Sequence, residues 1–259
     1  MRKSRTSTRR KIRRLKSPRR IGIMPTAAPV RFEGFPKGGF DFFLELQARQ
    51  SREWFKDHKQ RYEELWVRPL DALLVELAER VSDVFPTMTH AGRHIFRIQR
   101  DTRFSADKSP YKTHIAAHQP IRPVTGERWF TPSLYIHFGL DDSILAIGTW
   151  EVGKELLPLL RERFADDKTG GKLQRIMDGL AKEGFSLSAH EELKRVPAPY
   201  PADHPRAELL KRKGLSVSVP DIPEELMTGR ELLDWMSDRV HMAAPVALWL
   251  DEALKPGKG

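Results

Sequence analysis

The spacing of apolar residues changes along this chain, and that change restricts its fold more than any other feature. Leu70, Leu73, Leu74, Leu77, Val81 and Val84 recur at intervals of three and four, which is one face of a helix. Leu134, Ile136 and Phe138 instead alternate with Tyr135 and His137, the pattern of a strand with its apolar side turned inward. A turn at Leu140–Ser143 and a second arm at Ile144–Ile147 complete a hairpin. Before it, Phe40, Phe43, Leu44 and Gln47 share a helical side, and Ser51 caps a second helix that Pro69 interrupts or kinks. A strand is expected over 95–104. After the hairpin come helices near 153–165 and 171–183, a short strand at 185–188 and an extended proline-rich loop at 197–205. A helix at 207–211, a strand at 215–219 and helices at 229–241 and 246–254 complete the chain. Helices, then antiparallel strands, then helices predict an α+β fold: a single domain with a small, mostly antiparallel sheet packed with N-terminal and C-terminal helices.

Charge divides the chain of 259 residues differently. The net charge is +10, yet of 45 Lys and Arg eleven lie within residues 1–23, where there is no acid. The remaining 34 face 35 Asp and Glu, so the body is close to neutral. A neutral body weakens the case for a nucleic-acid-binding domain; RNA or DNA is expected as a partner only through the tail. The same acid-free segment also has the composition of an organelle transit peptide, and Met24-Pro25 reads as an alternative start. Residues 1–31 are expected as a disordered basic tail, 32–254 as the domain and 255–259 as a disordered end. Without cysteine there are no disulfides, thiolate metal sites or thiol chemistry. No apolar run approaches the roughly 20 residues of a membrane span, so a cytoplasmic protein without a membrane partner is expected.

The densest chemistry lies in Arg97–Lys112, with five basic and two acidic side chains in sixteen residues. As a strand, 95–104 would place Arg97, Gln99, Asp101 and Arg103 on one face, and Arg100 with Phe96, Ile98, Thr102 and Phe104 on the other. Ser109-Pro110 reads as a helix start, with backbone N–H groups beside Lys108 and Lys112. Arginines near a helix N-terminus suit phosphate or carboxylate. Arg97, Arg100, Arg103, Lys108 and Lys112 are therefore candidate ligands of a small anion. In the alternative, Arg97–Asp101 and Arg103–Asp107 pair and serve only as a scaffold. Asp101 and Asp107 are candidate orienting groups or bases, and Tyr111, His114 and His204 candidate proton donors.

The run Arg100-Asp101-Thr102-Arg103-Phe104-Ser105-Ala106-Asp107-Lys108-Ser109-Pro110-Tyr111-Lys112 resembles the signature of the family catalogued as domain of unknown function 2461. Arg52-Glu53-Trp54-Phe55, Leu193-Lys194-Arg195, Asp203-His204-Pro205 and Trp249-Leu250 fit the same resemblance, which spans about residues 34–252. It implies a single α+β domain and no particular activity. Three places depart from the family pattern. Gln50-Ser51 stands where a pair of asparagines is expected, Ala198-Pro199 where a glycine is, and Ile147-Gly148 where two glycines are.

Lys194, Arg195 and Tyr200 form a second basic candidate for ligand binding, able to join the first only if the fold converges there. His90/His94 and His114/His118 have the spacing of ligands on a helix but lack the glutamate of a metalloprotease. Neither a metal nor a cofactor is expected, and Thr169-Gly170-Gly171-Lys172 reads as a turn between helices. Trp129 and Trp150 read as core residues or pocket walls. The sequence leaves the reaction, if there is one, and the oligomeric state open.

Overall fold

The computed structural model describes residues 31–103, 106–124, 131–188, 192–219 and 221–255. The basic segment expected over 1–31 lies outside these apart from Arg31, and the expected disordered end apart from Lys255. Three helices lead: α1 (Gly39–Arg49), α2 (Arg52–Tyr62) and α3 (Arg68–Arg80). Gln50 turns the chain out of α1 at φ 38°, and the Ser51 hydroxyl accepts from Trp54 N–H at 3.0 Å to begin α2. Pro69 does not break the helical run, and α3 continues through it. A wide turn over Glu63–Val67, in which Arg68 N–H bonds Glu63 O, relaxes the helical register where the proline ring would press on the preceding turn.

Strands β1 (His94–Ile95), β2 (His114–Pro120), β3 (Ser133–Gly139), β4 (Ser143–Thr149), β5 (Ser186–Ser188) and β6 (Leu215–Ser218) form one antiparallel sheet in the order β1-β2-β3-β4-β6-β5. The helices α4 (Leu157–Ala165), α5 (Thr169–Lys182), α6 (Ala207–Leu210) and α7 (Glu231–Ala253) complete the α+β domain. Ile115, Ala117, Leu134, Ile136, Phe138, Leu145, Ile147, Leu215 and Val217 line one sheet face and are buried. Trp66 stacks on Phe138, and α7 crosses β4 and β6, so this face and the helices share one core. Among the described residues no helix is long and apolar enough to cross a membrane.

Several expectations are corrected. The strand expected over 95–104 is regular only at His94–Ile95, and β2 replaces the helix expected after Ser109-Pro110. One helix, α7, covers the two expected at 229–241 and 246–254. Its Pro245 is carried between fully buried Ala243, Ala244, Val246 and Ala247, whose packing outweighs the lost hydrogen bond. Trp150 is not a core residue, being 58% exposed, and Trp129 lies outside the described residues.

Thr169-Gly170-Gly171-Lys172 is the first turn of α5, not a turn between helices. Asp166 accepts from Thr169 N–H at 2.7 Å, and buried Arg206 donates to Phe164 O and Ala165 O at 2.6 Å, closing the end of α4. The two glycines then differ. A Cβ on Gly170 would lie 2.1 Å from Phe164 O, whereas one on Gly171 meets only the Arg175 guanidinium at 3.8 Å. Gly171→Ala should therefore be neutral or stabilise by up to about 1 kcal/mol through helix propensity. Gly170→Ala should destabilise by about 1–3 kcal/mol, as overpacking does. Urea unfolding checks the pair, and the reverse order would refute this account of the α4–α5 corner.

Candidate functional site

A strand that buries alternate residues must present the others on its opposite side. The sheet register gathers His94, His118, Tyr135, Ala146, Ser218 and Ser186 into one row of that second face. Ala116, His137 and Ile144 form the next row, and His114 and Gly139 the one after. The His114 and His137 rings stack with centroids 4.2 Å apart. Gly139 leaves them room, since a Cβ there would fall 2.7 Å from His114 Cβ and 2.8 Å from His137 Nε2. Phe96 stacks on His118 at 5.5 Å, and the Lys112 ammonium lies 5.9 Å from the Phe96 ring centre.

The signature segment folds back on itself beside this face. Arg100 N–H bonds Pro110 O and Lys112 N–H bonds Ile98 O, both at 2.9 Å, so Gln99 and Tyr111 pair as in a short ladder. The Gln50 amide clamps the segment from the α1–α2 corner, accepting from Tyr111 N–H at 3.1 Å and donating to Tyr111 O at 3.3 Å. The Tyr111 ring is buried and stacks on Phe55 at 4.6 Å. No helix begins at Ser109. Its N–H bonds the Asp107 side chain at 2.8 Å in a local turn, so the expected helix N-terminus plays no part in holding an anion.

The acids pair differently from the expected scheme. Arg103 binds Asp101 at 2.6 Å and Arg100 binds Asp107 at 3.1 Å, with the Arg100 Nε buried and lacking a hydrogen-bond acceptor. Lys108 donates to Thr102 O at 2.8 Å. Among the described residues no acid forms an ion pair with Arg97 or Lys112, although Arg97 acts electrostatically on Asp101. Lys112 is instead held below the usual range of an amine by burial and by Arg97 and Arg100.

The second basic candidate lies elsewhere. The Glu192–Arg212 bridge continues the β5–β6 ladder, and Lys194 and Arg195 lie exposed beyond it. Tyr200 packs on the core near Arg161, and His204 Nδ1 accepts from Arg206 N–H at 3.0 Å where α6 begins. Lys194 and Arg195 thus lie by the β5–β6 edge, Tyr200 beside α4 and His204 at the start of α6, whereas Arg97–Lys112 lies at the β1–β2 edge, with β3 and β4 between the two edges. Among the described residues no hydrogen bond, ion pair or ring contact joins them.

Of the candidate proton donors, His114 alone lies on the second face. His118, which spacing singles out only as a possible metal ligand with His114, accompanies it, as do Tyr135 and His137, for which spacing suggests no role in binding or proton transfer. Their available signal is parity: residues i and i+4 share a face of a strand as well as of a helix. On a strand, however, His114 and His118 stand about 13 Å apart, too far to share a metal ion. Among the described residues no group of three or more His, Asp or Glu is placed to hold one.

The model of a family described as conserved hypothetical protein (DUF2461) matches residues 39–249. The chain belongs to this family. No curated protein and no solved structure matches it. The match takes in the clamp at Gln50, the signature segment and all six strands of the sheet, so the site just described lies wholly within the family's extent.

Electrostatics on the second face disfavour further positive charge. Burial, then His137, Lys112 and Arg100, push His114 down to about 4. Burial and His94 lower His118, and burial lowers His137 against the pull of Asp142. A histidine depressed in the folded state takes its proton first in the unfolded chain. Its contribution to stability is complete above about pH 6.5 and is lost as pH falls through the folded value. His241, bonded to Asp83 at 2.9 Å, is raised and behaves oppositely. Proton NMR titration should place the His114 midpoint near 4, His118 and His137 below 6.5, and His241 above it. A His114 midpoint at or above 6.5 would contradict this environment.

Proposed function

We infer that this domain binds a small anion, bearing phosphate or carboxylate, at the β1–β2 end of the second sheet face. The observation that carries the reading is the charge imbalance there. Arg97 and Lys112 influence each other electrostatically, Lys112 is half-buried, and among the described residues neither forms an ion pair, although exposed Arg97 lies within electrostatic reach of Asp101. Burying a cation without a counter-charge is costly, and a ligand anion would remove that cost. Arg100 adds a third cation whose Nε has no acceptor, while Asp107 holds its guanidinium in place. Arg103 and Lys108, occupied by Asp101 and Thr102 O, serve the loop and not the anion. Lys194, Arg195 and Tyr200 stand apart from this binding group.

The first test is thermal unfolding of the full chain with inorganic phosphate, pyrophosphate, nucleotides and dicarboxylates. A ligand at 100 times its Kd stabilises by about 2.7 kcal/mol. For a protein of this size the midpoint rises by roughly 5–10 °C. Lys112→Met combined with Arg97→Gln should abolish that rise while leaving the unliganded midpoint within a few degrees. A flat response of the wild-type protein to every anion, or an undiminished response of the double variant, would overturn the reading.

A further inference from the structure

The Lys112 ammonium lies 5.9 Å from the Phe96 ring centre, and the Phe96 and Tyr135 ring centres are 6.4 Å apart, so an anion held at Lys112 would lie one ring away from the polar side chains of β3. Those side chains are themselves connected. The Tyr135 hydroxyl lies 3.2 Å from His137 Nδ1, and His137 Nε2 lies 3.1 Å from Asp142 Oδ1. Asp142 belongs to the tight turn between β3 and β4, where its carbonyl accepts from Gly139 N–H at 2.9 Å.

The chemistry of the partners assigns the protons. An ionised carboxylate only accepts, so neutral His137 carries its hydrogen on Nε2 and presents the Nδ1 lone pair to the phenol. Tyr135 therefore donates to Nδ1. The order of groups is that of a nucleophile, the base that deprotonates it and the carboxylate that orients the base. The surroundings support a neutral base. Burial, including the stacked His114 ring, and then Lys112 favour the neutral imidazole against the pull of Asp142 and Asp141 of the turn. Phe96 lies against Tyr135 and touches both His94 and His118, the latter standing opposite Tyr135 on β2.

We propose that Asp142, His137 and Tyr135 form a proton relay, and that the Tyr135 hydroxyl is the acid–base group presented to an anion held by Arg97 and Lys112. The placement of the anion rests on the binding reading above; the relay itself does not. In the forward step the phenolic proton passes to Nδ1 and the O–H bonding pair stays on oxygen. The resulting imidazolium keeps its Nε2 hydrogen on Asp142, and the reverse step returns the proton to Tyr135 or to an oxygen of the ligand.

Benzenesulfonyl fluoride tests the relay without a known substrate. The Tyr135 oxygen attacks sulfur as its proton moves to His137, the S–F bond breaks and fluoride leaves with the bonding pair. The full chain is treated at neutral pH and the modified residue located by peptide mass spectrometry. Of the four tyrosines, Tyr135 should react fastest, and Asp142→Asn and His137→Gln should each slow it by about tenfold or more. Asp142 is half-exposed in a turn, so Asp142→Asn carries the comparison should His137→Gln fail to fold. An unchanged rate in Asp142→Asn, or modification confined to Tyr62, Tyr111 and Tyr200, overturns the relay. Pyrophosphate supplies the separate readout. Protection of Tyr135 supports the placement of the anion; relay-dependent modification that pyrophosphate leaves unchanged overturns that placement and leaves the relay standing.

Discussion

One-sided burial of β3 governs the rest of the molecule. Leu134, Ile136 and Phe138 are fully buried against the helical side, so Tyr135 and His137 have no choice but the opposite face. A slip of one residue would place a phenol and an imidazole among Trp66, Phe35 and the leucines of α3, at a cost of several unsatisfied polar groups. The same register sets His137 opposite Ala116 and Ile144, and brings Gly139 opposite His114. The packing of apolar residues thus positions the polar ones, although the two sets do not touch.

The signature segment combines scaffold and site within sixteen residues. Gln50 binds both backbone groups of Tyr111, and the Tyr111 ring anchors in the core against Phe55. From that anchor the segment folds back, and local acids take Arg100 and Arg103. The substitution of Gln for the expected Asn at position 50 is accommodated here, since the glutamine amide makes both bonds. Local pairing leaves positive charge at Arg97 and Lys112, beside histidines that burial already keeps neutral. The proposed anionic ligand would add negative charge beside Lys112, where burial and the neighbouring arginines disfavour the cation.

Much of the fold can be read from the chain because it rests on local periodicity. The leucine stripe of α3, the Ser51 cap, the β3–β4 hairpin and the inward set Leu134, Ile136 and Phe138 all follow from spacing within a few residues. Spacing misleads where distant contacts outweigh local preference. Pro245 sits inside α7 because the residues flanking it are fully buried. Gly170 opens α5 because α4 and Arg206 approach too closely for a side chain. Ser109-Pro110 has good helix-starting chemistry, yet the clamp on Tyr111 and the pairing of β2 with β3 draw the chain into extended structure.

The site divides along the same line. The sequence by itself determined the α+β class, the concentration of charge in Arg97–Lys112 and the side of β3 on which Tyr135 and His137 emerge. Each depends on residue type and short-range parity. Only the tertiary structure decided which arginine met which acid, that Lys194 and Arg195 lie at the other edge of the sheet, and that Tyr135, His137 and Asp142 form one connected chain. Those outcomes depend on strand order and cross-strand register, set by the burial of the whole core and invisible in the spacing of any one segment.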